Sequence, residues 1–355
     1  MSRIVQTEVK TVELSLSTPF HTSLRSAYSV IDVRVTIETD DGIRGVGSAS
    51  PTAKITGETT ESIKAAISNF VLPALQSIDL DDEVAAFEAI QKSIVLNNAA
   101  KAAVDIALHD AYAKRRAVSL AQYLNHRDLS EFETDATISL NTPSAMENQA
   151  LELVGAGFRS LKIKLGGRDD RDIERVKRIR QALGRDAVLR VDANQAWGVK
   201  ESLQYIDKLA PLGVEFVEQP VYRKDLLGLR EVTKHSALPI AADESVFDAY
   251  DLNHILFLQA AHIINLKLMK TGGLYPAKEM IKTIQEAGLD WMVGSMMEGP
   301  ASVVAAATLA VAFDSRYKDL DAAYFLGNQE AAGGPEYRNG KLIVGGGIGL
   351  GVAYH

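Results

Sequence analysis

The sequence predicts an α/β protein, in which a barrel of parallel βα units follows a mixed α+β region and precedes a glycine-rich tail. Three observations carry that reading. From about Thr134, short runs rich in Val, Ile and Leu alternate with amphipathic or Ala-rich stretches, the mark of repeated βα units. An isolated polar residue closes each run: Lys164, Asp192, Glu218, Asp243, Lys267, Ser295 and Asp319. Their separations of 24 to 28 residues match a barrel, which spends ~30 residues per unit and collects its active site at strand C-termini. An open doubly wound sheet shares the period but concentrates its ligands at one switch point.

The elements follow in order. Val5 to Leu16 and Val30 to Glu38 alternate like strands, and Asp40-Asp41-Gly42 before Arg44 has the composition of a hairpin turn. Glu61 to Leu75 and Asp82 to Leu96 have helical spacing. So has Ala99 to Arg116, whose Ala103, Ile106, Ala107, Ala111 and Tyr112 fall at intervals of three and four. Strands then fall on Leu161–Leu165, Val188–Val191, Val214–Val217, Ile240–Ala242, Ile263–Leu268 and Trp291–Val293. Ala301 to Phe313 is the most apolar stretch; a bilayer span needs ~20 residues, so it reads as a buried helix. The tail Val344 to His355 contains GGGIGLG, but only four residues follow Gly351. A phosphate-cradling loop must open a helix, so the tail reads as a closing segment.

Composition removes several functions. With 46% hydrophobic and 24% charged residues the chain is globular, not disordered. Its 46 acidic against 38 basic residues leave a net charge of -8, so no nucleic-acid partner is expected. The absence of cysteine excludes disulfides, thiolate metal sites and a cysteine nucleophile. The N-terminus lacks the unbroken apolar core of a secretory signal. No membrane partner and a cytoplasmic location are the expectation.

Chemistry concentrates at the strand ends. Asp192 in RVDANQAW, Glu218 in VEQPV and Asp243 in AADES converge on one barrel mouth, where three carboxylates repel one another unless a cation lies between them. Hard oxygen donors without Cys or clustered His suit Mg²⁺ or Mn²⁺. Helix capping or ordinary ion pairs are the alternative for any one of these acids. Lys162 and Lys164 in LKIKLGG are two apart on a strand and share a face. Lys267, in NLKLMKTGG, comes from the sixth strand, across the barrel from the second. Burial and neighbouring positive charge are expected to lower these lysines' pKa values and so supply a neutral amine. A purely structural salt-bridge network is the competing reading. Together the groups point to proton abstraction beside a carboxylate: a dication and an ammonium stabilise the enediolate, and one lysine on each face inverts the carbon. The pairing of a Lys or His base with Mg²⁺ is the general pattern of enolase-superfamily sites, a known case and not a new deduction.

In order and spacing, LKIKLGG, RVDANQAW, VEQPV, ADESVF and NLKLMKTGG resemble the muconate-lactonizing subgroup of the enolase superfamily across nearly the whole chain. The resemblance implies a (β/α)7β modified TIM barrel over 131–324 and an α+β capping domain over 1–130, completed by about 325–355. It also implies Mg²⁺ ligation by Asp192, Glu218 and Asp243, an acid/base pair of Lys164 and Lys267, and contact of Lys162 with the substrate carboxylate. Asp319 and Asp321 in KDLDAAYF resemble the pair that holds a dipeptide's α-ammonium in dipeptide epimerases; surface acids are the bland reading. Arg25 in FHTSLRSAY resembles the capping-domain arginine that receives a side-chain carboxylate, against the reading of an ordinary surface arginine. Ile55 to Thr59 resembles the second capping loop, while Ser295, Met297 and Thr137 resemble residues lining the dipeptide site. Differences around Met297 and Gly299 leave hydrophobic dipeptides open.

The implied function is an isomerase: a Mg²⁺-dependent dipeptide epimerase acting on L-Ala-L-Glu and L-Ala-D-Glu, with a role in turnover of cell-wall peptides. An N-acylamino-acid racemase or o-succinylbenzoate synthase of the same subgroup is the nearest alternative, and a non-catalytic metal- or partner-binding barrel the alternative from another class. Assembly as a homo-oligomer is left open by the sequence.

Overall fold

The computed structural model describes residues 2–128, 131–167, 169–344 and 346–354. Ser130 at the expected domain boundary, and Met1, Gly345 and His355, lie outside the described residues. The chain opens with an antiparallel meander of β1 (Ile4–His21), β2 (Ser26–Thr39) and β3 (Arg44–Ala49). Its second turn is the expected one: Gly42 takes φ +79° and donates its N–H to the Thr39 carbonyl at 2.8 Å.

Of the expected helices, α1 (Glu83–Lys92) stops four residues short of Leu96, because Leu96 and Asn97 both adopt φ +55°. That reversal sends the chain into α2 (Asn98–Arg115). Every residue of α2 from Ala99 to Ala113 is buried, so it is enclosed all round and not merely amphipathic. Its alanines explain how. A Cβ at Gly45 would lie 2.0 Å from the Ala107 carbonyl, and one at Gly47 would lie 2.1 Å from that of Ala103. Only paired small residues let helix and strand approach so closely.

Eight parallel strands form the barrel: β4 (Ala136–Ile138), β5 (Ser160–Lys164), β6 (Val188–Asp192), β7 (Val214–Glu218), β8 (Ile240–Ala242), β9 (Ile263–Leu266), β10 (Asp290–Gly294) and β11 (Tyr317–Asp319). They pair in sequence order, and the seam between first and last is bridged where the Asp135 N–H donates to the Lys318 carbonyl at 3.1 Å. The seven intervening connections carry α3 (Pro143–Gly155), α4 (Asp172–Leu183), α5 (Val199–Leu209), α6 (Leu226–His235), α7 (Ala249–Leu258), α8 (Leu274–Glu286) and α9 (Pro300–Ala312). This is the (β/α)7β architecture, and α9 is the expected buried apolar helix. No helix among the described residues is long and apolar enough to cross a membrane.

One strand departs from expectation. The run from Ile263 was expected to stay extended to Leu268, but β9 ends at Leu266, and Leu268–Thr271 forms a single helical turn. Gly272 and Gly273, at φ +88° and +120°, close that turn. Meanwhile the tail does act as a closing segment. The Leu350 N–H donates to Asp110 at 2.6 Å, and Ala353–Tyr354 pairs with Ala331–Ala332.

The barrel interior is layered. Phe216, Ala241, Ile263, Met292 and Tyr317 form an apolar plug at the lower end. The Arg190 guanidinium lies over the Phe216 and Tyr317 rings and pairs with Asp135 at 2.9 Å and Glu215 at 2.8 Å. Above this plug the side chains are charged.

Candidate active site

The polar ladder read from the sequence lands on one rim. Lys164, Asp192, Glu218 and Asp319 are the last residues of β5, β6, β7 and β11. Asp243, Lys267 and Ser295 each follow their strand by one position. Parallel strands paired in order therefore bring residues from seven units to the same end of the barrel.

At the centre, one oxygen each from Asp192, Glu218 and Asp243 lies within 4.8 Å of the others, and all three residues are buried. Glu218 Oε2 and both Asp243 carboxylate oxygens lack an aligned hydrogen-bond donor. Buried oxygens of this kind, with no sulfur or imidazole among them, are the donor set a hard divalent cation takes. Lysines surround the cluster. Lys162 Nζ lies 3.2 Å from Asp192, 2.8 Å from Glu218 and 2.7 Å from Asp319. Lys164 Nζ is 2.7 Å from Asp192, while Lys267 Nζ is 2.7 Å from Asp243. These last two arise from the second and sixth of eight strands, on opposite sides of the barrel axis.

The charge states correct one expectation. Burial lowers a lysine's pKa, but here it is outweighed: Asp319, Glu218 and Asp192 hold Lys162 well above its ordinary value, and Asp243 does the same for Lys267. The neighbours that matter are negative, not positive. Among the acids, burial pushes Glu218 up to about 8 against the pull of Lys162, and repulsion from Asp192 and Asp243 adds to it. Burial would raise Asp243 too, yet Lys267, Lys270 and Lys162 keep it below the carboxylate range.

Above the cluster lies a partly open cleft. Its walls include Lys164, Lys267, Thr137, Ser295, Met297, Asp319, Asp321 and Arg25. Lys162 is the exception among the expected substrate-contact residues: it is 1% exposed and lies beneath the wall, held by carboxylates. Asp321 accepts the Thr137 N–H at 2.5 Å, so both aspartates of the DLD segment are buried at the wall and are not surface acids. Arg25 stands on the tip between β1 and β2, where its own N–H bonds Thr22 Oγ1. Ser23 Oγ pins that tip to the barrel by donating to the Ala193 and Asn194 carbonyls, 3.2 Å each. No carboxylate among the described residues pairs with the Arg25 guanidinium. Gly299, by contrast, does not line the cleft: a Cβ there would lie 2.2 Å from Asp32, so packing dictates it.

Sequence reasoning missed several neighbours. Asn194 lines the cleft and donates from Nδ2 to both Asp192 and Glu244, each at 3.2 Å. Asn265 Nδ2 donates to Glu218 Oε1 at 2.8 Å. Lys270, with no exposed surface, reaches Asp243 from behind at 2.6 Å. The signals were DAN after β6 and the three-residue spacing of Lys267 and Lys270, which matters only once that segment is known to be helical.

A (β/α)7β barrel whose strand ends gather three carboxylates and opposed lysines beneath a cleft is the framework of an enzyme. Two family models match the chain: the mandelate racemase/muconate lactonizing enzyme N-terminal domain over residues 4–125, and the enolase C-terminal domain-like family over residues 145–355. The chain belongs to this family, the mandelate racemase/muconate lactonizing branch of the enolase superfamily, and is an isomerase. It is 40% identical to the L-Ala-D/L-Glu epimerase of Clostridium acetobutylicum, over 96% of each chain. The substrate-liganded L-Ala-D/L-Glu epimerase of Bacillus subtilis superposes with a TM-score of 0.96 at 38% identity, covering 99% of both chains. The dipeptide epimerase of Enterococcus faecalis, complexed with Mg and L-Leu-L-Tyr, superposes at 0.95 with 36% identity, covering 99% of this chain and all of the other.

Proposed function

We propose that this protein is a Mg²⁺-dependent dipeptide epimerase that interconverts L-Ala-L-Glu and L-Ala-D-Glu at the α-carbon of the C-terminal residue. The observation that carries the reading is the placement of Lys164 and Lys267 on opposite strands, each against a different acid of one buried cluster.

Asp192, Glu218 and Asp243 would hold the ion. Bound there, Mg²⁺ supplies positive charge to the substrate carboxylate, whose negative charge grows as the α C–H bond breaks. With Asp243 holding the ion, Lys267 would lose the partner that keeps it protonated, and its amine would be available as a base. One lysine takes the α-proton from one face, and the ammonium on the opposite side returns a proton to the other. The two exchange roles in the reverse direction. Asp319 and Asp321 would receive the substrate's α-ammonium. In doing so that ammonium replaces Lys162 on Asp319, freeing Lys162 to turn to the substrate carboxylate. Arg25, with no carboxylate partner among the described residues, would take the glutamyl side chain bidentately. The names of the relatives from Clostridium acetobutylicum and Bacillus subtilis support that choice of side chain.

The test is incubation of L-Ala-L-Glu in D₂O with Mg²⁺. One deuterium should enter the glutamyl α-carbon as L-Ala-D-Glu forms, and lack of exchange overturns the proposal. Asp319→Asn separates it from an acylamino-acid racemase. Loss of a desolvated charge pair costs about 2–5 kcal/mol, so binding of the free-amine dipeptide should weaken ~30-fold or more while an N-acylated substrate is untouched.

A further inference from the structure

The least exposed lysine of the site is not on the cleft at all. Lys270 has no exposed surface, and its ammonium is turned entirely onto the cation cluster's scaffold. One contact is to Asp243 Oδ1 at 2.6 Å, a second to the Asp243 carbonyl, and the third to the Asn265 carbonyl at 2.9 Å. The side chain of that same Asn265 donates to Glu218 Oε1 at 2.8 Å. Asp243 is thus gripped at two of its atoms from one side, while its other oxygen, Oδ2, faces Lys267 at 2.7 Å. The turn Leu268–Thr271, closed by Gly272 and Gly273, aims Lys270 inward: three residues after Lys267 it has come round to the far side of the same carboxylate.

We infer that Lys270 is the positioning residue of the cation site, fixing Asp243 directly and Glu218 through Asn265 so that the second oxygen of each is presented to the ion. The inference rests on the reading of Asp243 and Glu218 as Mg²⁺ ligands. Two effects compete here, and they have opposite signs. As a like charge behind a ligand, Lys270 repels a dication, and removing it would tighten binding. As a clamp it pre-orients the ligand, and removing it would weaken binding; loss of such a supporting partner typically costs about 10–100-fold in metal affinity. Two hydrogen bonds to rigid backbone carbonyls and an ion pair to the carboxylate favour the clamp.

The experiment is titration of substrate-free protein with MgCl₂ by calorimetry. Lys270→Met should bind Mg²⁺ about 10–100-fold more weakly than the parent, and Lys270→Arg, which keeps charge and donors, should recover most of that loss. Affinity equal to or tighter than the parent's in the Met variant overturns the clamp, as does an Arg variant no better than Met. Should Lys270→Met fail to fold, Asn265→Leu reads the Glu218 arm alone. Weaker Mg²⁺ binding there supports the inference and unchanged binding overturns it. Asp243→Asn separates the two levels: if that variant binds Mg²⁺ like the parent, the assignment of the ligands falls, whatever Lys270 does.

Discussion

The two ends of the barrel interior are built from the same strands and obey opposite rules. In β7, Phe216 packs in the apolar plug, and Glu218, two residues on and facing the same way, enters the charged cluster. In β11, Tyr317 and Asp319 repeat the change. The plug gains stability from each buried ring, whereas the rim places six carboxylates (Asp192, Glu218, Asp243, Glu244, Asp319 and Asp321) around four ammonium groups (Lys162, Lys164, Lys267 and Lys270), all buried. Buried ion pairs of this kind add little net stability. The comparison teaches that one turn of pleat separates residues that hold the fold from residues proposed to carry the chemistry.

The sharpest way to test that division is at Lys267. Lys267→Met should lower epimerisation by about 10³-fold or more and abolish α-proton exchange from one stereoisomer only, measured by NMR in D₂O. Lys164→Met should do the same for the other stereoisomer, and variants that keep both exchanges would break the assignment. At the opposite end, Phe216→Ala should cost about 3–5 kcal/mol of stability by chemical denaturation, while kcat of the folded protein stays near the parent's. A large fall in kcat without destabilisation would erase the distinction between the layers. Between these extremes, Arg25→Met should raise KM for L-Ala-L-Glu by about 10–100-fold, the value of charged hydrogen bonds, with little change for a dipeptide lacking the side-chain carboxylate. The smallest effect is on pH dependence. Burial, together with the Asp319 charge, pushes Asp321 up to about 6. Below that pH it is protonated and holds an ammonium less well, so KM should rise several-fold as the pH falls from 7 to 5.

Much of this division is legible in the sequence, because a single polar residue after an apolar run is conspicuous seven times over. The strand ends and the three acids follow from it. Lys270 was hidden because the run IINLKLM, rich in Ile and Leu, reads as extended, although the Gly272-Gly273 pair closes its end into a turn. The close approach of α2 to β3 was equally hidden, since a periodic alanine helix shows its outward face only in the fold. Lys162 could be placed on the right face but not in the right state. Its partners come from β6, β7 and β11, and no local pattern reveals that acids surround it.

The residue proposed to read the substrate's side chain and the residues proposed to move its proton stand on separate pieces of chain. Arg25 occupies a four-residue tip, Thr22 to Arg25, tied to the barrel by the Ser23 hydroxyl, whereas the lysines belong to barrel strands or follow them directly. Mutations in that tip can accumulate without disturbing the reacting groups. A gene for such a protein can therefore explore new dipeptides by small edits near its beginning while selection holds the rest of the barrel constant.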